Sequence, residues 1–534
     1  MHPGDRALDR AWALDDPDPV TRAALEASSG AGGALPPGAG APVLRFGTSG
    51  LRGPLGPGPS RVNRVTARRL TVGLLGTLGP DPLVVVGGDA RHGSDEMVAD
   101  VVDVVIASGG RVVRATEPCP TPLLAFAVRH LGADAAVVVT ASHNPATDNG
   151  LKVYSAEGIQ VIPPVDQEIA AALAEPLAPH LRAALERGPR ASGDPLPDEV
   201  RDAYRSMAAG LVPAAVRRTT IVHTSLHGVA GRLAGDVLAD AGFAVVPVPS
   251  QAAPHPDFPT VTHPNPEDPA ALAAALALAE AREADLVLAH DPDGDRLAVA
   301  VPDDGRWRVL SGNEVGALLC DLMCETVRSD LPRVVASTLV STALVARIAA
   351  HHGVRHVRTP TGFKWVMRAS LDPGTRFVFG FEEALGYAVT DAVRDKDGIT
   401  AGLVVADLVD RLGPGGAVAR LDELAARHGR HTTRTLHRSF TGPGAAAERA
   451  MAMTWLRDDP PPSLGGDTVE GVVDHLADAV PTDMVELRLA SGATVKVRPS
   501  GTEPTVKVYL EVVVADPGEA EQALDRLVAA LPDR

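Results

Sequence analysis

The sequence predicts an α/β protein of three similar domains with mixed or parallel sheets, followed by a C-terminal α+β domain. Short apolar segments typical of buried strands alternate with helical segments, and this alternation restarts near residues 206 and 312. From about residue 430 the pattern changes to short strands joined by turns, which is typical of an antiparallel sheet. The length of 534 residues also exceeds one core, since a domain usually holds roughly 100–200 residues.

The changes in pattern divide the chain into an N-terminal segment and four domains. Residues 1–42 are expected to hold a short helix around Thr21–Ala27 and a linker rich in glycine, alanine and proline. The folded body is expected to start near Val43. The four domains are predicted at 43–205, 206–311, 312–429 and 430–534.

Each domain has its own predicted strands and helices. In the first domain, helices are predicted at about Val65–Leu78 and Asp95–Ser108, and strands at Leu83–Val86, Arg111–Ala115 and Ala135–Val139. In the second, strands are predicted at Thr219–His223, Ala244–Val248 and Asp285–Ala289, with a helix at Pro269–Arg282. In the third, strands are predicted at Val334–Ser337 and Phe377–Phe379. The last domain combines strands at Met484–Leu489, Ala493–Arg498 and Val506–Val514 with a helix at Gly518–Leu531.

Composition limits the classes of function. The chain is 45% hydrophobic and 22% charged, which is typical of globular proteins, and its net charge of −17 argues against non-specific nucleic-acid binding. A local basic pocket could still hold an anionic ligand. Three cysteines make no disulfide framework, and the first 30 residues lack the apolar core of a signal peptide. Since no uncharged apolar run reaches about 18 residues, we expect a cytoplasmic protein that binds neither nucleic acid nor membrane.

The first candidate site is the loop Thr140–Pro145, which follows the predicted strand Ala135–Val139. In open α/β sheets, ligands bind in loops at the carboxyl ends of strands. Ser142 therefore stands where a nucleophile would be useful, and His143 beside it could act as a base or as a structural hydrogen-bonding group. Taken alone, the segment is equally consistent with an ordinary turn. The glycine-rich segment Phe46–Gly53 could also wrap backbone amides around an anion.

The second candidate site is an acidic loop after the strand Asp285–Ala289. Proline and glycine separate three alternating aspartates, Asp291, Asp293 and Asp295. Such close carboxylates repel one another unless a cation is bound, and their hard oxygen atoms suit Mg²⁺ or Ca²⁺. An EF-hand is excluded because Arg296 replaces the required glycine and Pro302 the final glutamate. A phosphatase-type loop and a solvated acidic turn are less favoured alternatives. With a metal bound, Arg296 can address a neighbouring phosphate.

Two further loops and one lysine are candidates for binding a substrate. Arg498 opens the segment R-P-S-G-T, which offers a guanidinium group, hydroxyls and glycine amides to a phosphate, the alternative being an ordinary β-turn. Glu382 and Glu383 stand just past a strand, where they could hold sugar hydroxyls or form an exposed acidic turn. Lys364 has apolar neighbours that could lower its pKa, although a surface lysine is the commoner case.

Together and in this order, the motifs resemble the α-D-phosphohexomutase superfamily, which includes phosphoglucomutases and phosphomannomutases. Four motifs carry the resemblance: T-A-S-H-N-P, D-P-D-G-D-R, G-F-E-E-A-L-G-Y and R-P-S-G-T-E-P. With F-G-T-S-G-L-R-G, they cover nearly the whole chain from about residue 43. The resemblance implies the four-domain phosphohexomutase architecture and a phosphomutase, which is an isomerase that transfers a phosphoryl group within a sugar phosphate.

The resemblance also implies a role for each matching residue. Ser142 would be carried as phosphoserine. Its phosphate would bind Mg²⁺ together with Asp291, Asp293 and Asp295. Lys152 matches a lysine near the transferring phosphate, and Arg52 matches an arginine of the first loop. Glu382, with Glu383 beside it, would bind sugar hydroxyls, and Lys364 would contact the sugar or act as a general acid or base. The distal phosphate would bind at Arg498, Ser500, Gly501 and Thr502.

The implied reaction is the reversible interconversion of hexose 1-phosphate and hexose 6-phosphate. Phosphoserine 142 would give its phosphoryl group to the sugar and recover the other phosphate from a bisphosphate intermediate. Mg²⁺ and a hexose 1,6-bisphosphate are therefore the expected cofactors, with Lys364 and His143 as candidates for the acid or base.

One departure concerns the sugar. Ala384 stands where many hexomutases have serine, and the loop F-E-E-A-L-G-Y is closer to a subgroup that contains phosphopentomutase-like members. Two alternatives therefore stand. One is a phosphopentomutase acting on ribose or deoxyribose phosphates, and the other is a non-catalytic sugar-phosphate sensor, against which the intact Ser142, aspartates and Arg498 argue. A Mg²⁺-dependent phosphatase is less favoured.

Overall fold

The protein is described by a computed structural model that covers residues 3–29, 43–188, 193–440, 445–499 and 505–531. It divides into two compact units. The first comprises Met1–Leu310 and Ala384–Pro414, and the second Ser311–Glu383 and Gly415–Arg534.

The first unit begins with two helices, α1 (Pro3–Asp15) and α2 (Pro19–Ser29). Trp12 and Leu25 are fully buried in the hydrophobic core of the first domain. The expectation that the folded body starts near Val43 is therefore wrong, because α1 and α2 supply part of that core. The helix predicted around Thr21–Ala27 is confirmed as the middle of α2. The predicted linker lies mostly outside the described residues.

The first domain is a six-stranded mixed sheet covered by helices. The strands are β1 (Leu51–Pro54), β2 (Leu83–Gly88), β3 (Arg111–Arg114), β4 (Ala135–Val139), β5 (Asp148–Ser155) and β6 (Asp194–Pro195). Their order is β1-β5-β4-β2-β3-β6, with β5 antiparallel to β1 and β4 and the others parallel to their neighbours. The helices are α3 (Arg64–Gly76), α4 (Ser94–Ala107), α5 (Thr121–Leu131), α6 (Val165–Ala171), α7 (Pro179–Glu186) and α8 (Asp198–Ala209), with a 3-10 turn at Ala172–Ala174.

The second domain is a five-stranded mixed sheet. Its strands are β7 (Thr220–Thr224), β8 (Ala244–Pro247), β9 (Leu286–His290), β10 (Leu297–Asp303) and β11 (Arg306–Leu310), in the order β11-β10-β9-β7-β8. Its helices are α9 (Gly231–Asp240) and α10 (Pro269–Ala281). Strands β7, β8 and β9 are parallel, so β9 ends at the carboxyl edge of the sheet, where ligands bind.

The second unit opens with the third domain. Its helices are α11 (Gly312–Thr326), α12 (Leu344–His351) and α13 (Phe363–Val366), with a 3-10 turn at Met367–Ser370. Its strands β12 (Arg333–Thr338), β13 (Arg355–Thr359) and β14 (Arg376–Glu382) are parallel, with β12 in the centre. The following segment, which holds β15 (Gly386–Ala388) and helix α14 (Gly398–Leu412), belongs to the first unit.

The C-terminal domain is an antiparallel sheet with helices on its apolar face. Helix α15 (Gly416–His428) precedes β16 (His431–Ser439), and helices α16 (Ala445–Asp458) and α17 (Pro517–Ala530) pack on the sheet. The remaining strands are β17 (Ser463–Leu464), β18 (Asp467–Asp474), β19 (Val485–Leu489), β20 (Thr494–Pro499) and β21 (Thr505–Val513), with a 3-10 turn at His475–Ala477. The order is β16-β21-β20-β19-β18-β17, and the predicted antiparallel pattern is confirmed.

The predicted fold class is confirmed, and each predicted strand overlaps an observed one. Strand β5 was not predicted, and neither were β10, β16 and β18, among others. Throughout the described part of the chain, the helices are too short or too polar to cross a lipid bilayer.

Candidate active site

Ser142 lies in the loop after β4, as the sequence predicts. Its side chain is buried, and its backbone adopts a left-handed conformation with φ of 55°, which is uncommon for a residue other than glycine. The backbone N–H of Ser142 donates to Thr140 Oγ1 at 2.8 Å. Ser142 Oγ donates to Asp291 Oδ2 at 2.5 Å and lies 3.1 Å from His143 Nδ1. The fold therefore brings the predicted nucleophile to the predicted metal loop.

The Ser142 loop is held from behind by Arg91, which follows β2. The Arg91 guanidinium group donates to three backbone carbonyls of the loop, at 2.5 Å to Ser142, 2.6 Å to Asn144 and 2.7 Å to Pro145. It also donates to the carbonyl of Asp148, at the start of β5, at 3.1 Å. Asp89, at 3.2 Å, balances the charge of Arg91. Arg91 was not among the predicted site residues, although it ends the run Gly-Gly-Asp-Ala-Arg that follows a strand.

The three predicted metal ligands form one buried cluster. Asp291, Asp293 and Asp295 are fully buried, and each offers a carboxylate oxygen within 4.8 Å of the others. Thr121, at the start of α5, donates to Asp293 Oδ2 at 2.7 Å. The Oδ1 atoms of Asp293 and Asp295 accept no hydrogen bond from any described residue. Buried carboxylate oxygens need a partner, so the cluster fits a hard divalent cation such as Mg²⁺.

Two lysines face these aspartates. Lys152 on β5 is fully buried, with Nζ 2.6 Å from Oδ2 of both Asp293 and Asp295. Lys396, in the segment that leads into α14, has Nζ 3.1 Å from Asp295 Oδ2. Lys152 was predicted near the transferring phosphate, whereas Lys396 was missed. Its signal was the charged run Arg-Asp-Lys-Asp-Gly just before a helix.

Burial and charge shift the ionisation of the site. Burial, together with repulsion from Asp293 and Asp295, raises the pKa of Asp291 well above its ordinary value. Burial would lower the pKa of Lys152, but its attraction to the aspartates outweighs burial and raises it. Burial, with the positive charges of Arg296 and Arg52, lowers the pKa of His143 well below its ordinary value. His143 is therefore neutral near pH 7, and its imidazole is a weaker proton acceptor than that of an ordinary histidine.

The predicted arginines of the first unit lie at this cluster. Burial lowers the pKa of Arg52, and the three aspartates oppose that shift. Arg296 donates its backbone N–H to Asp291 Oδ1 at 3.0 Å. Its guanidinium group pairs with Glu267 Oε2 at 3.1 Å. Positive charge thus surrounds the carboxylates, which is the arrangement expected where a phosphoryl group is transferred.

The other predicted substrate-binding residues belong to the second unit. Lys364 on α13 is buried, so the alternative of a surface lysine is wrong. Glu382 ends β14, and Glu383 Oε2 accepts from Thr338 Oγ1 at 3.2 Å and Ser341 Oγ at 3.3 Å. Both glutamates are half-buried, so the alternative of an exposed acidic turn is also wrong. Arg498 is half-buried on β20. Ser500, Gly501 and Thr502 lie outside the described residues.

Family models match four segments of the chain. Three are described as phosphoglucomutase/phosphomannomutase alpha/beta/alpha domains I, II and III, which match residues 43–178, 203–305 and 311–429. The fourth is described as the phosphoglucomutase/phosphomannomutase C-terminal domain and matches residues 461–530. Together they cover well over half of the chain.

Curated relatives and solved structures agree with the family models. A Haemophilus influenzae protein named "Probable phosphomannomutase" is 36% identical over 83% of this chain and 90% of its own length. A human phosphopentomutase is 33% identical over 92% of this chain and 89% of its own length. A solved structure from Thermus thermophilus, provisionally named a phosphomannomutase, is 26% identical with a TM-score of 0.71, covering 92% of this chain and 99% of its own.

These findings confirm the resemblance stated from the motifs and the four-domain architecture that it implies. The subgroup suggested by the loop F-E-E-A-L-G-Y stays a prediction. The chain belongs to the phosphoglucomutase/phosphomannomutase family of the α-D-phosphohexomutase superfamily, whose members are phosphomutases.

Proposed function

We propose that this phosphomutase interconverts hexose 1-phosphate and hexose 6-phosphate through a phosphoserine at Ser142 and a bisphosphate sugar intermediate. The observation that carries the proposal is the 2.5 Å hydrogen bond from Ser142 Oγ to Asp291, in a buried cluster of three carboxylates beside Lys152. A serine that attacked an acyl group would need a base and an oxyanion hole. A serine beside a divalent-cation site instead suits a phosphoryl carrier.

Asp291, Asp293 and Asp295 would hold Mg²⁺ together with the Ser142 phosphate. When bound, the ion would neutralise charge on the phosphoryl group in transfer. Lys152, Arg296 and Arg52 supply further positive charge from the chain itself. Because these charges are held by buried side chains, they need little reorganisation during the reaction.

Two side chains, His143 and Lys364, are the candidates for proton transfer. A sugar hydroxyl that attacks the phosphoserine forms a new P–O bond while the bond from phosphorus to Ser142 Oγ breaks. The hydroxyl proton must move to a base, and the departing Ser142 Oγ must take up a proton. His143, which is neutral near pH 7 and lies 3.1 Å from Ser142 Oγ, is one proposed base. Lys364 is the other proposed acid or base.

Substrate binding is proposed for residues of the second unit. Arg498, Ser500, Gly501 and Thr502 would bind the phosphate that is not in transfer. Glu382 and Glu383 would accept hydrogen bonds from sugar hydroxyls, a role that suits half-buried carboxylates. We also propose a hexose 1,6-bisphosphate as the compound that loads Ser142. The proposed domain limits are 43–205, with α1 and α2 added to its core, 206–311, 312–429 and 430–534.

A pentose phosphate is the second candidate substrate. The human relative named phosphopentomutase is 33% identical over 92% of this chain, and Ala384 removes a hydroxyl from the proposed sugar loop. Parallel coupled assays with glucose, mannose, ribose and deoxyribose 1-phosphates separate the candidates. A kcat/KM at least tenfold higher for a pentose phosphate would replace the hexose proposal.

The proposal for Ser142 is tested by Ser142→Ala. We expect mutase activity to fall by several orders of magnitude while the melting temperature stays close to that of the wild type, since one buried hydroxyl is lost. Ser206→Ala, on the exposed side of α8, is the matched control and should keep full activity. Activity of Ser142→Ala within tenfold of the wild type would contradict the phosphoserine assignment.

A further inference from the structure

We propose that Phe258, in the second domain, is a positioning residue that holds the Ser142 loop through the guanidinium group of Arg91. The expected effect of Phe258 on catalysis rests on the proposed function, because the loop that it holds would carry the phosphoserine. Neither residue contacts Ser142 Oγ in the structure; Phe258 acts on Arg91, and Arg91 acts on the backbone of the loop.

Arg91 can hold the loop only while its guanidinium group stays in place. It is 4% exposed and donates to the carbonyls of Ser142, Asn144, Pro145 and Asp148. The N–H groups of a guanidinium group point outward in its plane, and these four hydrogen bonds hold the turn in which Ser142 has its left-handed backbone. The faces of the guanidinium group are still available for packing.

Phe258 packs against the guanidinium group of Arg91, which lies over its ring. The centroid of its ring lies 4.9 Å from Arg91 Cζ, and the residue is 3% exposed. Stacking an aromatic ring on a buried guanidinium group adds electrostatic attraction without competing for its N–H groups. Phe258 also has a left-handed φ of 48°, which a bulky residue rarely adopts unless its surroundings require it.

The loop that carries Phe258 is tied to the aspartate loop. His255 donates its backbone N–H to His227 O at 3.0 Å, and the neighbouring Val229 donates to Pro292 O at 2.8 Å. Pro292 stands between Asp291 and Asp293. Chain segments 227–229 and 255–258 thus connect the metal loop to Arg91 and through it to the Ser142 loop. We infer that Phe258 helps to set the distance between Ser142 Oγ and Asp291.

Phe258→Leu tests this inference, because leucine keeps an apolar side chain but removes the ring. We expect backbone amides of residues 142–148 to exchange hydrogen for deuterium about tenfold faster, and kcat to fall about tenfold with KM within twofold, since a desolvated cation–π pair corresponds to roughly tenfold or more in an equilibrium. A residue that mattered only for overall stability would not change loop exchange and kcat selectively.

Phe243→Leu is the matched control. Phe243 is similarly buried in the same domain, and its ring lies 4.7 Å from Arg217 Cζ. Arg217 pairs with Asp407 at 2.7 Å and makes no described contact with the Ser142 loop. Phe243→Leu should lower the melting temperature about as much as Phe258→Leu does, and should leave exchange at residues 142–148 and kcat within twofold of the wild type.

The outcomes separate this inference from the proposed function. The inference is wrong if Phe258→Leu leaves loop exchange within twofold of the wild type, or if Phe243→Leu accelerates it equally. Hydrogen exchange of residues 142–148 tests the role of Phe258 whether or not the wild type carries a phosphate on Ser142. A wild type without that phosphate would overturn the proposed function but not the positioning role of Phe258. Faster loop exchange with unchanged kcat would overturn the catalytic part of the inference.

Discussion

Replacing Lys152 by methionine removes the positive charge nearest to the aspartate cluster. Its Nζ lies 2.6 Å from both Asp293 and Asp295, and all three side chains are fully buried. Removing one partner of a buried ion pair costs about 3–5 kcal/mol, since the other charge stays buried and uncompensated. Methionine is similar in length and fills most of the space, so the loss is mainly electrostatic. We expect the free energy of unfolding of the first unit to fall by about that amount without added metal.

The same change has a separate effect on activity. Losing one preorganised group that stabilises the charge in transfer lowers kcat by roughly 10²–10³-fold. Added Mg²⁺ should raise the melting temperature of Lys152→Met more than that of the wild type, because the aspartates have lost a competing cation. The assays are kcat at saturating Mg²⁺ and melting curves with and without Mg²⁺.

A surface pair serves as the control for Lys152. Arg205 and Asp240 lie 2.7 Å apart with each side chain about a third exposed, and exposed pairs contribute little to stability. Arg205→Met should therefore change neither kcat nor the response to Mg²⁺. The reasoning is refuted if Lys152→Met keeps kcat within threefold of the wild type, or if Mg²⁺ stabilises both proteins equally.

Three further predictions concern residues outside the cluster. Asp15→Asn leaves the buried Arg69 without its anion at 2.6 Å and should lower the stability of the first unit by about 3–5 kcal/mol in urea unfolding; a loss below about 1 kcal/mol would contradict the role given to α1. Burial alone would raise the pKa of Glu486, but hydrogen bonds from Arg488 and Arg358 lower it from 4.5 to about 2. Its stabilisation is thus complete above pH 4.5 and lost as the pH falls through 2, so the melting temperature of Glu486→Gln should change less with pH over that window than that of the wild type. Arg498→Ala should raise KM for the sugar phosphate roughly 10–100-fold with a smaller change in kcat, and an unchanged KM would remove its assignment to the phosphate.

The parts of the fold that the sequence predicts are those with a local signal. Strand β4 is an unbroken apolar run, and its predicted bounds coincide with the observed ones. Helix α1 was missed because Trp12 and Ala13 stand among charged residues, and only packing on a distant core shows their role. Strand β5 was missed because it carries Lys152 in its centre, which is unusual for a buried strand. That lysine is compensated by aspartates about 140 residues further along the chain.

The site residues that were predicted from the sequence also have a local signal, whereas those that were missed depend on distant contacts. Ser142 and the three aspartates were found because each follows a predicted strand in a polar motif. Arg91 and Lys396 were missed because their roles depend on contacts across the fold: Arg91 with the carbonyls of a loop some 50 residues away, and Lys396 with Asp295 about 100 residues earlier. The short runs around Arg91 and Lys396 mark a polar segment next to a strand or a helix, but they do not show which distant atoms these side chains contact.

Intact-mass and peptide mass measurements show whether Ser142 carries the phosphoryl group. Wild-type protein incubated with phosphate-labelled sugar 1-phosphate or bisphosphate in Mg²⁺ is analysed intact and after digestion. We predict one phosphoryl group on the peptide that contains Ser142, exchanging its label with substrate at a rate compatible with kcat, and none on that peptide in Ser142→Ala. An active wild-type enzyme with no phosphate on Ser142, or with a phosphate that does not exchange, would show that Ser142 is not the phosphoryl carrier.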